Sequence, residues 1–489
     1  MFILHIALQG CLRANDVEYG LTADTGGHIR YLLELVEAAE KAGVQQQEIV
    51  TRGFDEADLG LVYAQRFERL SDHARIVRLQ SDSSGYLSKE EMASQLPSLA
   101  DALERHILSL EDMPDIIHAH YADAGWLAAE MKARLGIPFF FTGHSLGRVK
   151  KMAMRSNVPD ASIERRIEIE ELAIASADRI VVSSTDEAIR QYGLYDTPSR
   201  HKIQLNPPGY DVRTFADDSG AACRPALATS IERFLTNPDK KPILALARPV
   251  RKKNLAGLVG AFGRCSQLRE DCNLVIFAGT RRDIRLETDE NRAVLEELLY
   301  LIDLYDLWGQ VALPKDHRPS DVPGIYRYAA ERGGVFCNPA LNEPFGLTLI
   351  EAAAAGLPVV ATHHGGPRDI LANCKHGLLT DPFDEDAIAE TLRTVILSPK
   401  ARSRFAANGK AEVGYYSWDR HVQDYLVEVQ KVAYAGRHLR RSSMPAATRH
   451  PLESKRPPQT EPLYPARPRR TGSPVWSAAS SADMSRRHS

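Results

Sequence analysis

The chain has 489 residues, 44% of them apolar and 26% charged, which gives room for two or three globular domains without disulfide or metal staples. No apolar run is long enough to span a bilayer. The opening MFILHIALQG lacks the basic stretch of a secretory leader and reads as a first buried strand. Six cysteines (Cys11, Cys223, Cys265, Cys272, Cys337, Cys374) show neither metal-ligand spacing nor a disulfide framework, so a cytoplasmic location is expected. The net charge of −3 is uneven. Residues 437–489 hold eleven Lys/Arg against three Asp/Glu, and subtracting that surplus of +8 leaves −11 for the body, which argues against nucleic acid as a partner.

The first half alternates short apolar runs with helical patterns, the order expected of parallel strands covered by helices. Strands are expected at 3–8, 48–51, 74–79, 116–119, 138–142, 179–183 and 202–206. After the first comes GLTADTGGHIRYLLELVEAAEKAG, in which Ile29, Leu32, Leu33, Val36 and Ala39 recur at helical spacing from about His28. Asp24 and Thr25 are expected to cap that helix, and Gly26-Gly27 leaves backbone amides open at its start. Strand, glycine turn, helix is a layout that binds diphosphates. Two later strands run into polar loops, IIHAHYADAGWLAA and FFFTGHSLGRVKKMAM, which gather His120, Asp123, His144, Ser145, Arg148 and Lys150. Lys89 alone reads as a solvated helix residue, and Arg165-Arg166 as a salt-bridged helix face.

Asn206-Pro207-Pro208-Gly209 ends this half, and residues 211–240 lack periodicity. The second half opens with a strand at 243–247 followed by RPVRKKNLAGLVGAFGRC, in which Arg248 and Lys253 bracket the turn into a helix. Further on, GVFCNPALNEPFGLTLIEAAAAGLPVVATHHGGPRD reads as strand, loop, helix, break and strand. Its loop sets Glu343 before Phe345, Gly346 and Leu347, and its helix carries Glu351. A helix start with a close-approach glycine attracts phosphate or hydroxyl oxygens, and two carboxylates suit vicinal hydroxyls of sugar and ribose. Asp384 and Asp386, an Asp-x-Asp before an amphipathic helix, fit capping better than metal binding. The run SWDRHVQDYLVEVQKV forms a last helix, and Pro, Ser, Arg and Ala then dominate a tail expected to be disordered.

The stretch from Gly334 to Asp369 resembles the paired-glutamate region of retaining glycosyltransferases with two Rossmann-like domains, and more narrowly the sucrose-phosphate synthase group. Thr142-Gly-His-Ser-Leu-Gly-Arg-Val-Lys150 and Tyr86-Leu-Ser-Lys89-Glu90 carry the same likeness, which covers residues 3–432. It implies the GT-B architecture: two Rossmann-like α/β domains facing across a cleft, with a terminal helix crossing back. The expected division is an acceptor domain at 1–210, a linker at 211–240, a nucleotide-sugar domain at 241–415, a crossover helix at 416–436 and a basic tail at 437–489. The resemblance implies that Glu343 contacts the donor hexose and Glu351 the ribose, while Gly27, Phe345, Gly346 and Leu347 bring backbone to the donor. It further implies that Arg248 and Lys253 neutralise the diphosphate, that His144 lies beside the reacting centre, that Lys89 helps bind the acceptor, and that Lys150 and Arg165 or Arg166 hold the acceptor phosphate. Two positions depart from the group: His28 stands where glutamine is usual at the acceptor, and Val250 where aspartate is usual.

The resemblance thus implies a metal-independent, retaining hexosyltransferase that moves glucose from UDP-glucose to fructose 6-phosphate, with no cofactor. A separate phosphatase is expected to act on the product. The alternatives are GDP-mannose as donor, another acceptor, sucrose synthase chemistry, or a sugar-nucleotide sensor without turnover.

Overall fold

Phe2–Ile6 (β1) is buried at every position, as a strand covered on both faces must be. It lies at the centre of a parallel sheet with Gln46–Arg52 (β2), Ala74–Leu79 (β4), Ile116–His120 (β5), Phe139–Thr142 (β6), Arg179–Val182 (β7) and Ile203–Leu205 (β8). The short strand Phe67–Arg69 (β3) adds antiparallel to β4 at one edge, giving the order β3-β4-β2-β1-β5-β6-β7-β8. The structure, a computed structural model, describes residues 1–443 apart from 19, 20, 23, 90, 154–159 and 217–224. The tail from 444 on, part of the expected linker and Cys223 therefore lie outside the described residues. The five described cysteines are free thiols.

A second sheet, all parallel, contains Lys241–Ala247 (β9), Cys272–Ala278 (β10), Val311–Ala312 (β11), Val335–Asn338 (β12), Val359–Thr362 (β13) and Gly377–Thr380 (β14), in the order β11-β10-β9-β12-β13-β14. Alternation along β9 sends Ile243 and Ala245 into one apolar layer and Leu244 into the other. In both sheets the chain winds outward in one direction, then returns to the middle and winds the other way. The reversals fall between β1 and β5 and between β9 and β12, and a crevice at the carboxyl ends of the strands opens at such switch points.

Three local expectations need correction. Asp24 and Thr25 do not cap the helix Gly27–Lys41, whose N-cap is Gly26 with no side-chain bond. The Asp24 carboxylate instead accepts from Lys89 Nζ at 2.7 Å and Lys89 N at 3.1 Å, and Thr25 Oγ accepts from Cys11 N at 3.0 Å. The aperiodic 211–240 segment contains a helix, Pro225–Glu232, that buries Leu227 and Ile231 against the second sheet. The last helix, Trp418–Ser443, runs past Gly436 instead of stopping there. A Cβ on Gly436 would lie 2.8 Å from Pro138, so this glycine provides clearance and not a terminus. Asp384 does cap its helix, accepting from the amides of Asp386 and Ala387 at 2.9 and 3.0 Å.

That last helix follows the second sheet yet packs on the first. Val422, Tyr425 and Val429 join Ile3, Phe140 and Val181 in one buried cluster, and Arg179 pairs with Glu428 at 3.0 Å. The chain thus passes between the lobes at residues 206–210 and again near 416–418, and Tyr210 N donates to Tyr416 O at 2.8 Å between the two crossings. Among the described residues no helix is long and apolar enough to cross a membrane.

Candidate active site

A cavity of about 580 Å³ lies where the carboxyl-end loops of the two sheets meet, within the size range of small-molecule sites. Gly27, His28 and Tyr31 enter from the helix after β1, and His144 enters from the loop after β6. The second lobe supplies Lys253 and the loop from Glu343 to Thr348, and the crossings supply Tyr210 and Trp418.

Glu343 is buried and its carboxylate is doubly engaged. Oε2 accepts from Lys253 Nζ at 2.5 Å and from Asn338 Nδ2 at 3.1 Å. Its backbone is fixed as well, since Glu343 N donates to His364 O and Gly366 N donates to Glu343 O. Gly346, the N-cap of the helix Leu347–Ala354, has φ +108°, which a side chain would strain. That conformation aims the first turn of the helix into the cavity. Glu351 does not itself line the cavity but accepts from Tyr210, which does, and burial pushes its carboxyl upward against the opposing effect of two tyrosine hydroxyls. Arg248 is exposed after β9 and makes no ion pair among the described residues.

On the first lobe His144 has φ +53°, uncommon outside glycine. Its Nε2 lies 3.0 Å from His120 Nδ1. Burial, helped by neighbouring His28, pushes the His144 imidazole down to about 3, so the ring is neutral at physiological pH. His28 packs edge-on against Tyr121 with ring centres 5.0 Å apart, and its Nε2 lies 3.3 Å from Gln9 O. Burial also lowers His28. Next to them, desolvation raises the Asp123 carboxyl to about 6, and Gln9 Nε2 lies 3.5 Å from it.

The expected acceptor cations separate into different situations. Lys89, Lys150, Arg165 and Arg166 do not line the cavity. Lys89 is tied to Asp24, and Lys150 sits half-buried on the short helix Gly147–Ala153. Arg166 donates to Glu170 Oε1 at 2.8 Å and to the carbonyl of Ser145, bracing the loop that carries His144. Arg165 is exposed and makes no ion pair among the described residues. Arg148 is structural, pairing with Glu171 at 2.9 Å and Asp196 at 2.5 Å.

The sequence reading passed over Tyr31, Tyr210, Tyr326 and Trp418, whose aromatic character at helix and hinge positions signals packing alone. Among the described residues two groups bring three potential metal ligands together: His5, His118 and His120 inside the first sheet, and His363, His364 and Asp381 beside the second. Neither group lines the cavity.

Residues 26–209 match the glycosyl transferase 4-like domain and residues 228–412 the glycosyl transferases group 1 domain. Sucrose-phosphate synthase 4 of Arabidopsis thaliana is 36% identical over 499 residues, covering 88% of this chain and 48% of that protein. The chain thus spans about half the length of the curated relatives it matches. Among solved structures, a sucrose-phosphate synthase from Thermosynechococcus elongatus superposes with a TM-score of 0.65 at 23% identity, covering 89% of this chain and 99% of that one. The Anabaena protein HepE in complex with UDP-glucose superposes with a TM-score of 0.58 at 15% identity, covering 88% and 100%. With a glycosyl transferase 4-like domain followed by a glycosyl transferases group 1 domain, each built on its own parallel sheet, the chain has the two-domain GT-B fold of these solved structures.

Proposed function

We propose that this chain transfers glucose from UDP-glucose to fructose 6-phosphate, with retention at the anomeric carbon, giving sucrose 6-phosphate and UDP. The observation that carries the reading is the Lys253–Glu343 pair, at 2.5 Å, in the same cavity as His144. One cation for a leaving diphosphate and one carboxylate for sugar hydroxyls thus face a neutral imidazole. The likeness to sucrose-phosphate synthases supplies the substrate pair.

As the glycosidic bond breaks, negative charge builds on the diphosphate. Lys253 and the amides at the Leu347 helix start meet that charge from fixed positions, the largest usual source of catalysis, and the exposed Arg248 adds a second cation from outside the cavity wall. Glu343 orients the hexose and Glu351 the ribose. The departing phosphate takes the proton of the incoming hydroxyl, so the paired carboxylates of a glycosidase are not required. Neutral His144 offers a hydrogen bond to a hexose hydroxyl without adding a second charge. Closing the two lobes excludes water and suppresses donor hydrolysis.

In this reading the reaction needs no metal ion and takes place in the cytoplasm, and a separate phosphatase consumes the product. The test is a product assay with chelator present, crossing UDP-, ADP- and GDP-sugars with fructose 6-phosphate, glucose 6-phosphate and free fructose. Sucrose 6-phosphate formed from UDP-glucose is the expected result. Turnover only with another pair would move the assignment to another hexosyl transfer, through His28 and Val250. Tight nucleotide-sugar binding with no turnover on any pair would overturn the enzyme reading in favour of a sensor.

A further inference from the structure

Both carboxylate oxygens of Glu351 are held by tyrosine hydroxyls. Tyr210 Oη donates to its Oε1 at 2.5 Å and Tyr326 Oη donates to its Oε2 at 2.7 Å. Tyr326 belongs to the second lobe and is fully buried. Tyr210 sits on the first crossing between the lobes and lines the cavity itself. On the other side its ring packs under Arg30 of the first lobe, 5.8 Å from the guanidinium carbon, and it lies tilted against Phe215 at a ring separation of 5.9 Å. One side chain therefore touches the first lobe, the crossing and the second-lobe carboxylate.

A carboxylate oxygen accepts about two hydrogen bonds. With one lone pair of each oxygen given to a tyrosine, the remaining two are left for a pair of adjacent hydroxyls. We propose that Tyr210, with Tyr326 opposite, is a positioning residue that orients Glu351 to accept the two ribose hydroxyls of the donor nucleotide. The assignment rests on the nucleotide-sugar reading above. It also makes nucleotide capture depend on the crossing, because Tyr210 keeps its place only while the first crossing holds its path between Arg30 and the second sheet.

The groups facing Glu351 are Tyr210, Tyr326 and, at longer range, Arg30. All three favour its ionised form, while burial opposes it. Removing the Tyr210 hydroxyl therefore moves the carboxyl further up, and nucleotide binding is lost at a higher pH as acid is added.

The test is UDP binding by titration calorimetry to the full chain and to Tyr210→Phe, Tyr326→Phe and Glu351→Gln, from pH 5 to 8, repeated with 2′,3′-dideoxy-UDP. Phenylalanine keeps each ring in the core, and thermal melts verify the fold. Tyr210→Phe should weaken UDP roughly tenfold, the size expected for one hydrogen bond to a charged group. It should shift the acid limb of binding upward and leave dideoxy-UDP affinity unchanged. Equal weakening toward both nucleotides, or UDP affinity and pH profile matching the unsubstituted chain, overturns the positioning role. An unsubstituted chain that binds no UDP overturns the nucleotide reading itself and the positioning role with it, a result distinct from the other two.

Discussion

Lys253 Nζ and Glu343 Oε2 stand 2.5 Å apart although ninety residues separate them in the chain. The lysine comes from the loop after β9 and the glutamate from the loop after β12, the two strands that flank the reversal of the second sheet. Parallel neighbours bring their carboxyl ends to the same side, so the fold itself joins this lysine and this glutamate at the cavity.

On the proposed reading, Lys253→Ala removes a cation that meets the diphosphate, and it leaves Glu343 without its ion pair. Turnover should fall about 100- to 1000-fold, the usual loss of a preorganised charge-stabilising donor. Stability should drop by about 1–2 kcal/mol, since the pair is partly solvated. Steady-state rates and urea unfolding measure the two effects. A melt and a rate both equal to those of the unsubstituted chain would remove Lys253 from the site.

The two adjacent arginines should separate cleanly. On the proposed reading, Arg165, exposed and unpaired among the described residues, is the one of the two free to meet an acceptor phosphate. Arg165→Ala should raise KM for the phosphorylated acceptor about tenfold with no change in Tm. Arg166→Ala strips support from Ser145 and Glu170, so it should lower Tm and reduce kcat through the His144 loop. The opposite pattern in a kinetic and thermal comparison would exchange their roles.

Acid should destabilise the first lobe sharply. Burial pushes His5 and His421 down to about 4 and His144 to about 3, and it holds His118 and His120 low as well. An unfolded histidine takes up its proton near 6.5. Between that pH and about 4 the unfolded chain binds protons that the folded one refuses. Stability is therefore full above about 6.5 and falls as pH drops, at most about 1.4 kcal/mol per unit for each group. Neither ring nitrogen of His5 makes a hydrogen bond of good geometry, although the Gln47 side chain lies close to it. His5→Phe should thus be neutral or stabilising at pH 7 and should flatten the acid slope. Urea midpoints at pH 7, 5.5 and 4.5 check this, and parallel slopes for both chains would contradict it.

Gly209→Ala should loosen the return of the last helix. A Cβ at this position would lie 2.4 Å from the Trp418 ring, a backbone-to-indole clash with little room to relax. A loss of about 1–3 kcal/mol is expected, read as a lower Tm with protease access near residue 418.

Much of this was legible in the chain itself, because parallel strands buried on both faces announce themselves as short apolar runs and the Glu343–Glu351 loop sits on one of their ends. What escaped depended on distant partners. β3 is three residues long, and its antiparallel pairing is decided by β4 rather than by its own pattern. Asp24 looked like a cap until Lys89, 65 residues on, claimed its carboxylate. Tyr210 and Glu351 lie 141 residues apart, and no local spacing connects a hinge tyrosine with a helix glutamate. Gly436 reads as punctuation, yet its purpose is the space it leaves for Pro138.

The chain crosses between its halves twice, and Tyr210 N–H bonds Tyr416 C=O where the crossings run side by side. A single tether would let one half swing and twist freely about it. Two tethers fastened together act like a door hung on paired hinges and leave essentially one axis of rotation. Any opening of the cleft would then follow one arc, and the residues on its two sides would return to the same alignment each time the door shuts.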